Sequence, residues 1–450
     1  MSVVIIGGGL AGSEAAWQIA EAGFEVKLYE MRPKVKTKAH KTGSLAELVC
    51  SNSFRGRDLS NAVGLLKEEL SLLGSLIMEA AFHAEVPAGG ALAVDREVFS
   101  QFIDERIRNH PKISVIEEEI TEIPKASAES PVLVATGPLT SSSLASSIER
   151  LIGQESLAFF DAISPIILGS SLNMDILFRQ SRYDKGDGDD YINIPLSKDE
   201  YYSFVDEVGR AEKFGMHEEV EADQVDNLRP FEGCMPIEDM IERGPDTLLF
   251  GPLKPVGLTD PRTNSRPYAV IQLRQDDKEG TLWSMVGFQT KMKHGEQTRI
   301  FKGLPGLEKA EFVRLGSVHR NTFINSPSCL DATLSFRNSE GLFFAGQITG
   351  VEGYVESTAG GMVAGKNIVR LLQEKDLLEF PKETAIGSLM NYISDSERKN
   401  FQPMNISFGL MPSYAVPTDK KQRKKMSKKD RRLNTSKQAL EIIEKQVVGA

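Results

Sequence analysis

The hydrophobic pattern is most informative at the start of the chain. Residues 3–6 are four consecutive apolar residues, which is typical of a buried strand. Residues 10–22 then show a helical composition rich in Ala and Glu, and Gly23 is a suitable end to that helix. A second strand is predicted over residues 25–29. This order predicts the beginning of a parallel sheet with helices packed on it.

Further along, the pattern alternates between helices and strands. Residues 61–82 carry apolar positions at helical spacing, and Asp95 and Arg96 open another predicted helix. Residues 113–120 are predicted to form an edge or meander strand, and residues 131–137 to form a core strand. From about residue 141 the chain shows many short predicted strands, aromatic residues and Pro/Gly turns. A strand at 341–345 and a glycine-rich helix at 356–365 indicate a return to the first sheet.

The turn after the first strand has the spacing of a dinucleotide-binding motif. Gly7, Gly9 and Gly12 give G-x-G-x-x-G: the first permits a tight turn, the second a close backbone approach to a pyrophosphate, and the third close helix packing. Glu30 follows Gly12 by 18 residues, where a carboxylate is expected to bind ribose hydroxyls. The helix N-terminus offers unpaired N–H groups to phosphate.

These patterns predict an α/β fold, with a Rossmann-like FAD-binding domain, an inserted mostly-β α+β domain and a basic C-terminal tail. The predicted division assigns residues 1–150 and 329–380 to the FAD-binding domain and 151–328 to the insertion. Residues 381–450 are predicted to be a helical segment with a basic tail, of which 420–432 are expected to be mobile. The absence of a second G-x-G-x-x-G favours one tightly bound FAD, with NADPH or NADH as a visiting reductant.

Composition adds a charge asymmetry. The net charge is −10, but residues 401–450 contain 11 Lys and Arg against 4 Asp and Glu. A second basic cluster follows Glu30, between Arg32 and Lys41. Each cluster is either a solvated surface or a contact to RNA phosphates. The chain has no run of about 18 apolar residues and no signal-peptide pattern, so we expect no membrane span and a cytoplasmic protein.

The chemistry-bearing motifs resemble one enzyme family. The matching stretches are 7–17 (GGGLAGSEAAW), 48–53 (LVCSNS), 231–237 (FEGCMPI), 246–258, 267–276 (PYAVIQLRQD), 286–290 (VGFQT), 319–324 (HRNTFI) and 346–361. Together they resemble the folate- and FAD-dependent tRNA (uracil-5-)-methyltransferases of bacteria, the TrmFO family, which is related to the MnmG/GidA flavoproteins. The resemblance covers roughly residues 1–412 and leaves the lysine-rich end unassigned.

The resemblance implies C5-methylation of the uridine at position 54 in the tRNA T-loop. The carbon would come from 5,10-methylenetetrahydrofolate, reduced FAD would supply a hydride, and NADPH or NADH would restore the reduced flavin. A cysteine thiolate adding at C6 would turn C5 into a nucleophile. The target base must be extruded to be attacked. Tyr268, Arg274, His319 and Arg320 are candidate tRNA contacts that are equally compatible with ordinary structural roles.

Two of the three cysteines lie in these motifs. Cys234 is the favoured nucleophile at C6, and Cys50 its partner as proton acceptor or guard thiol, although the reverse order of roles stays open. Cys329 lies in no such motif and is predicted to be a buried small residue. No Cys/His cluster has metal-ligand spacing, so no metal is expected.

The resemblance also implies a set of FAD-binding residues. The set is Gly7, Gly8, Gly9, Leu10, Ala11, Gly12, Glu30, Arg32, Asn52, Ser53, Gly346, Gln347, Glu352, Gly353, Tyr354, Gly360 and Gly361. The glycines of the later helix could instead serve close packing.

Two other functions compete. One is the related flavoprotein that installs a carboxymethylaminomethyl group on the tRNA wobble uridine; that family usually carries a longer helical C-terminal domain. The other is a flavoprotein that only binds RNA or oxidises NAD(P)H, which would not need both Cys50 and Cys234. The Ala-Thr-Gly and Ala-Gly-Gln segments disfavour an S-adenosylmethionine-dependent enzyme. The oligomeric state is left open.

Overall fold

The computed structural model describes residues 2–37, 39–153, 157–214, 235–398, 401–412 and 426–445, and side chains are not described for residues 157–161 and 318–320. The strands are β1 Ser2–Ile6, β2 Glu25–Glu30, β3 Ser53–Gly56, β4 Glu85–Val86, β5 Ala91–Val94, β6 Ile113–Glu117, β7 Val132–Val134, β8 Leu157–Ala162, β9 Ile166–Leu168, β10 Phe178–Arg179, β11 Tyr191–Leu196, β12 Ala269–Gln275, β13 Leu282–Met285, β14 Phe312–Arg314, β15 Val318–Phe323 and β16 Leu342–Phe344. The α-helices are α1 Leu10–Glu21, α2 Ala62–Leu72, α3 Leu76–His83, α4 Arg96–Arg108, α5 Ser142–Ile152, α6 Lys198–Arg210, α7 Ile237–Glu242, α8 Thr247–Phe250, α9 His294–Lys302, α10 Ser326–Cys329, α11 Tyr354–Leu372, α12 Ala385–Ser394 and α13 Lys428–Ile443.

The first sheet is parallel and has the order β16-β7-β1-β2-β6. Its central strands are apolar on both faces because helices cover them: Val3, Ile5 and Leu133 have no exposed surface. The predicted strand beside β1 is confirmed as β7, and the predicted edge strand is confirmed as β6. The chain returns to this sheet at β16, as the sequence predicts.

The inserted segment forms its own antiparallel sheet, with the order β10-β11-β12-β13-β9-β14. Helices α6 and α9 pack on it around a separate core that includes Tyr201, Trp283 and Phe288. The result is an α+β domain joined to the first sheet through the pair β8 and β15. The predicted boundaries at residues 151 and 328 stay predictions.

Two predicted elements differ from the structure. Residues 61–82 form two helices rather than one, because Gly74 adopts a left-handed φ of +78° and the Ser75 hydroxyl then accepts the Met78 N–H to begin α3. Of the segment 420–432 that is expected to be mobile, residues 420–425 lie outside the described residues, and residues 428–432 belong to α13. This helix packs on α2 through Ala439 and Ile443, and both are fully buried.

Among the described residues, none of the helices combines the length and the apolar character needed to cross a bilayer.

Candidate active site

The glycine turn between β1 and α1 opens into an elongated cleft, here called the dinucleotide cleft. A Cβ at Gly12 would lie 1.9 Å from the Gly7 carbonyl oxygen, so only glycine permits this approach of helix to strand. At Gly9, in contrast, nothing lies within 4 Å of such a Cβ, and the backbone faces open space. Gly9 is also the residue before α1, and no side chain caps the helix. The cleft therefore presents a helix N-terminus to a ligand, which suits a phosphate group.

Glu30 lies at the end of β2 and lines the same cleft. Its carboxylate accepts the Gly8 N–H at 3.0 Å and the Arg32 Nε–H at 2.9 Å. Burial acts to raise the pKa of Glu30, but the hydrogen bonds and charge of Arg32 outweigh it and hold that pKa below its usual value. The group is thus a fixed, ionised acceptor at the position predicted for ribose recognition.

The dinucleotide cleft, of about 130 Å³, continues into a larger cavity of about 320 Å³, here called the central cavity. The two share five lining residues, namely Val49, Pro138, Leu139, Gln347 and Tyr354. The central cavity lies between the two domains, because Cys50 and Ser53 come from one and Ser284, Gly287 and Gln289 from the other.

The backbone around Cys50 is held by side chains from three other elements. The Tyr354 hydroxyl, on α11, accepts the N–H groups of Cys50 and Ser51, both at 3.0 Å. Arg96, on α4, donates to the carbonyls of Leu48 and Cys50, and Arg314, on β14, donates to those of Val49 and Cys50. The half-buried thiol lies 3.9 Å from the Ala162 carbonyl oxygen. These contacts fix Cys50 at the cavity wall.

This part of the wall is rich in positive charge. Asp276 pairs with Arg96, with an Nε–Oδ2 distance of 2.9 Å. Arg274 instead donates to the Asn52 side-chain oxygen and the Ser51 hydroxyl, which are uncharged. Three guanidinium groups thus face one carboxylate close to Cys50.

That crowding has electrostatic consequences. Burial and the nearby Arg96 charge lower the pKa of Arg314 to about 10, and its Nε atom is buried without a hydrogen-bond partner. Burial, followed by the proximity of Cys50, raises the pKa of Tyr354 above its usual value. Tyr354 therefore stays a neutral phenol at physiological pH and can accept the two backbone N–H groups.

Most predicted cofactor residues line these two cavities. Those that do are Gly7, Gly9, Leu10, Ala11, Glu30, Arg32 and Gly346 in the dinucleotide cleft, Ser53, Glu352 and Gly353 in the central cavity, and Gln347 and Tyr354 in both. The predicted catalytic residue Cys50 also lines the central cavity. The elongated cleft, open Gly9 backbone and ionised Glu30 fit the adenosine diphosphate part of FAD.

The other predicted cofactor residues have internal roles and do not line either cavity. Gly8 donates to Glu30, and Asn52 donates to the carbonyls of Val94 and Gln275. Gly12 closes on Gly7, as described above. A Cβ at Gly360 would lie 2.9 Å from the Gly346 nitrogen, and one at Gly361 would lie 2.2 Å from the Ala11 carbonyl oxygen. Close packing thus accounts for these glycines, and a direct contact with FAD stays a prediction.

Cys234, His319 and Arg320 lie outside the described residues or side chains. Cys329 is buried as predicted, and burial raises the pKa of its thiol to about 11. The Tyr268 and Tyr202 hydroxyls form a hydrogen bond with each other. Arg274 is buried and lines the central cavity, so it is not a surface residue. In the described part of the chain, no group of three or more His, Cys, Asp or Glu residues could hold a metal ion.

Sequence reasoning missed Arg96 and Arg314 as site residues. Arg96 is predicted only as the start of a helix, which Asp95 caps. Arg314 lies on a three-residue strand that has no periodic signal. Only the pairing of β14 with β9 brings it to the cavity.

The fold and the paired cavities define a dinucleotide-binding protein of the GidA type. The family model described as Glucose inhibited division protein A matches residues 2–376. The structure is similar to that of GidA from Aquifex aeolicus, with a TM-score of 0.69 and 16% identity, over 99% of this chain and 73% of that one. At this identity the likeness establishes the fold.

Sequence comparison defines the family more narrowly. The chain is 55% identical over 444 residues to "Methylenetetrahydrofolate--tRNA-(uracil-5-)-methyltransferase TrmFO" of Natranaerobius thermophilus, covering 99% of this chain and 98% of the relative. It is also 55% identical over 439 residues to the protein of the same name from Geobacter sulfurreducens, covering 98% and 97%. The chain belongs to the TrmFO family. The match extends past residue 412, so the expectation that the lysine-rich end falls outside the family is wrong.

Proposed function

We propose that this chain methylates C5 of a uracil in tRNA, with 5,10-methylenetetrahydrofolate as carbon donor and NAD(P)H as reductant. The proposed target is the uridine at position 54 of the T-loop. The observation that carries the proposal is Cys50 on the central cavity, which is continuous with a cleft suited to FAD. The names of the 55%-identical relatives support the same donor and acceptor.

In this proposal FAD occupies the dinucleotide cleft and supplies hydride chemistry to the central cavity when bound. Glu30 would hold the ribose, and the open backbone at Gly9 would approach the pyrophosphate. The N-terminus of α11 lies at the central cavity, where its dipole would stabilise negative charge on a reduced cofactor.

In this proposal two thiols act on the uracil, one as the nucleophile and one as its partner. Attack of a thiolate at C6 moves the C5=C6 electron pair toward C5 and the C4 carbonyl, so that C5 can attack the one-carbon unit. A base must later remove the C5 proton as the bond between the transferred carbon and its carrier nitrogen breaks. A hydride added to the resulting methylene carbon then completes the methyl group and expels the thiolate from C6. We assign attack at C6 to Cys234 and the partner role to Cys50.

The position of α7 supports a role for Cys234. Ile237, three residues after Cys234, donates its backbone N–H to the Gln289 carbonyl at 2.8 Å, and Gln289 lines the central cavity. Three residues span at most roughly 11 Å. The chain length therefore allows the Cys234 thiol to reach the cavity that contains Cys50.

The test is a methyl-transfer assay on unmodified tRNA transcript with isotope-labelled methylenetetrahydrofolate and NADPH. Cys234→Ala and Cys50→Ala are compared with the wild type and with Cys329→Ala, a buried cysteine outside both cavities. Label at uridine 54 that is lost in both motif-cysteine variants but kept in Cys329→Ala would support the proposal. A covalent protein–tRNA adduct that survives denaturation in Cys50→Ala but not in Cys234→Ala would support the assignment of the nucleophile.

Three other outcomes of this assay would contradict the proposed function. Label at the wobble uridine would assign the chain to the related wobble-modifying activity. Reduction of bound flavin by NADPH without any label in tRNA would leave only a flavoprotein oxidase. Methylation from S-adenosylmethionine without folate would exclude the proposed donor.

A further inference from the structure

One aromatic side chain on the inserted domain is strongly exposed, and it lies two residues from a proline that packs against the wall of the central cavity. Phe250, the last residue of α8, is 85% exposed, the highest value among the large hydrophobic residues in the described part of the chain. A ring that stays in solvent adds little to the apolar area buried on folding, and its faces are free to stack on a ligand.

The exposure does not come from a loose end of chain. On either side of Phe250, Leu248 and Leu253 are fully buried in the core of the inserted domain. The residues before α8 are fixed as well, because the Tyr201 hydroxyl donates to the Pro245 carbonyl at 2.6 Å and the Tyr202 hydroxyl to Asp246 at 2.8 Å. Residues 245–253 are therefore held in place on both sides of Phe250, and they leave its ring in solvent.

This segment is connected directly to the cavity wall. Gly287 lines the central cavity, and a Cβ there would lie 2.6 Å from the Cβ of Pro252. Pro252 is only two residues beyond Phe250, so the backbone that carries the ring is two residues from a contact with the cavity wall. The exposed cations Lys254 and Arg266 belong to the same part of the chain.

We infer that Phe250 is a stacking platform for an unpaired base of the RNA substrate, on the same domain that supplies Gly287 and Gln289 to the central cavity. Aromatic rings bind bases through their faces, and nearby cations attract the phosphates. A base extruded from a folded loop leaves neighbouring bases with an unstacked face. The inference rests on the proposed function and adds a recognition residue to it.

The test measures tRNA affinity for Phe250→Ala, Phe250→Leu and Phe250→Trp by equilibrium binding of labelled, unmodified transcript at several salt concentrations. Loss of one stacked base weakens binding by about fivefold or more. We expect this loss in the Ala and Leu variants, and near wild-type affinity in the Trp variant, which keeps an aromatic face. The slope of affinity against salt should not change, because no phosphate contact is removed.

Phe82→Ala is the matched control, since Phe82 is 47% exposed on α3 of the other domain. Melting temperature and FAD content establish that each variant is folded. Equal affinity of Phe250→Ala and wild type, or an equal loss in Phe82→Ala, would overturn the inference. So would wild-type affinity in Phe250→Leu, which would indicate a purely apolar contact, or a change of oligomeric state in Phe250→Ala, which would indicate a second copy on the ring. If the wild type binds no tRNA, both the proposed function and the inference fail. If the wild type binds tRNA and the Phe250 variants bind it equally well, only the inference fails.

Discussion

Cys50 is positioned by its neighbours rather than by its own local sequence. Its carbonyl accepts hydrogen bonds from both Arg96 and Arg314, and its N–H donates to Tyr354. Arg314 comes from the inserted domain, so the two domains jointly set the place of the thiol. A site of this kind depends on a small number of long side chains, because misplacement of a reacting group by about 1 Å can cost about 100-fold in rate.

We therefore expect Arg314→Lys to lower the kcat of methyl transfer by about 10- to 100-fold, since a lysine keeps the charge but cannot reach both carbonyls as a planar fork. The KM for tRNA should change little, and FAD content should stay at the wild-type level because Arg314 does not line the dinucleotide cleft. Steady-state kinetics on tRNA transcript would check this. Arg210→Gln, exposed on α6, is the control. An effect confined to KM would show that Arg314 binds substrate instead of positioning Cys50.

At the scale of elements, helix α1 packs tightly on α11 in the domain of the first sheet. Gly361 and Gly365 of α11 allow it, because a Cβ at Gly361 would lie 2.2 Å from the Ala11 carbonyl oxygen, which cannot move without shifting α1. Gly361→Ala should destabilise the protein by about 1–3 kcal/mol and lower FAD content, since α1 also forms the cleft. Thermal unfolding and flavin absorbance would measure both.

Gly209→Ala provides the contrast. Gly209 lies in α6, and nothing is within 4 Å of an added Cβ, so the change should be neutral or stabilising by up to about 1 kcal/mol. Equal stability changes in the two variants would show that the α1–α11 contact is not tight.

A second element-scale prediction concerns pH. Glu69 of α2 is fully buried and accepts the N–H groups of Ala385 and Ile386 at the start of α12. Burial raises its pKa from 4.5 to about 8. Between these values the folded protein holds a proton that the unfolded chain releases, so stability falls as pH rises.

Glu69→Gln removes that proton uptake. Relative to the variant, the wild type should therefore lose up to about 1.4 kcal/mol of unfolding free energy per pH unit between pH 5 and 7. Urea unfolding at several pH values would measure the slopes. Glu68→Gln, a change at the exposed neighbouring position, is expected to keep the wild-type profile. Parallel profiles for wild type and Glu69→Gln would show that Glu69 is ionised in the folded state.

The sequence predicts an element well when the interactions that define it are between residues close together in the chain. The strand β1, the glycine turn and α1 follow from local spacing, and α4 follows from the cap at Asp95. The break between α2 and α3 was missed because Leu73 and Ile77 continue the apolar pattern across Gly74. A single left-handed residue outweighs that pattern.

At the scale of the whole molecule, the site is a product of domain juxtaposition. Gly7, Gly9 and Glu30 of the cleft come from one continuous motif and could be predicted, whereas Arg274 and Arg314 join Arg96 around Cys50 only because the inserted sheet docks on the first domain. No periodicity in a single sequence contains that docking. The position of the C-terminal basic segment likewise could not be predicted from local sequence, since it depends on where α13 is attached.

The charge distribution gives a last prediction. Helix α13 is attached to α2 by buried Ala439 and Ile443 and by the Ser436 hydroxyl, which donates to the Leu59 carbonyl at 2.7 Å. Its exposed N-terminal lysines, Lys428 and Lys429, therefore have a fixed place on an otherwise acidic protein of net charge −10. If they contact tRNA phosphates, the double variant Lys428→Gln/Lys429→Gln should reduce the slope of log affinity against log salt by about 1 to 2.

Binding of labelled transcript across a salt series would measure that slope. The matched control is Lys309→Gln/Lys375→Gln, which removes the same charge from exposed positions outside the C-terminal segment. A slope that falls only in the α13 variant would assign the basic segment to RNA binding, because general attraction depends on net charge and would change equally in both variants. An unchanged slope in the α13 variant would instead make Lys428 and Lys429 part of a solvated surface, and the tRNA would then have to be held by cations nearer the central cavity.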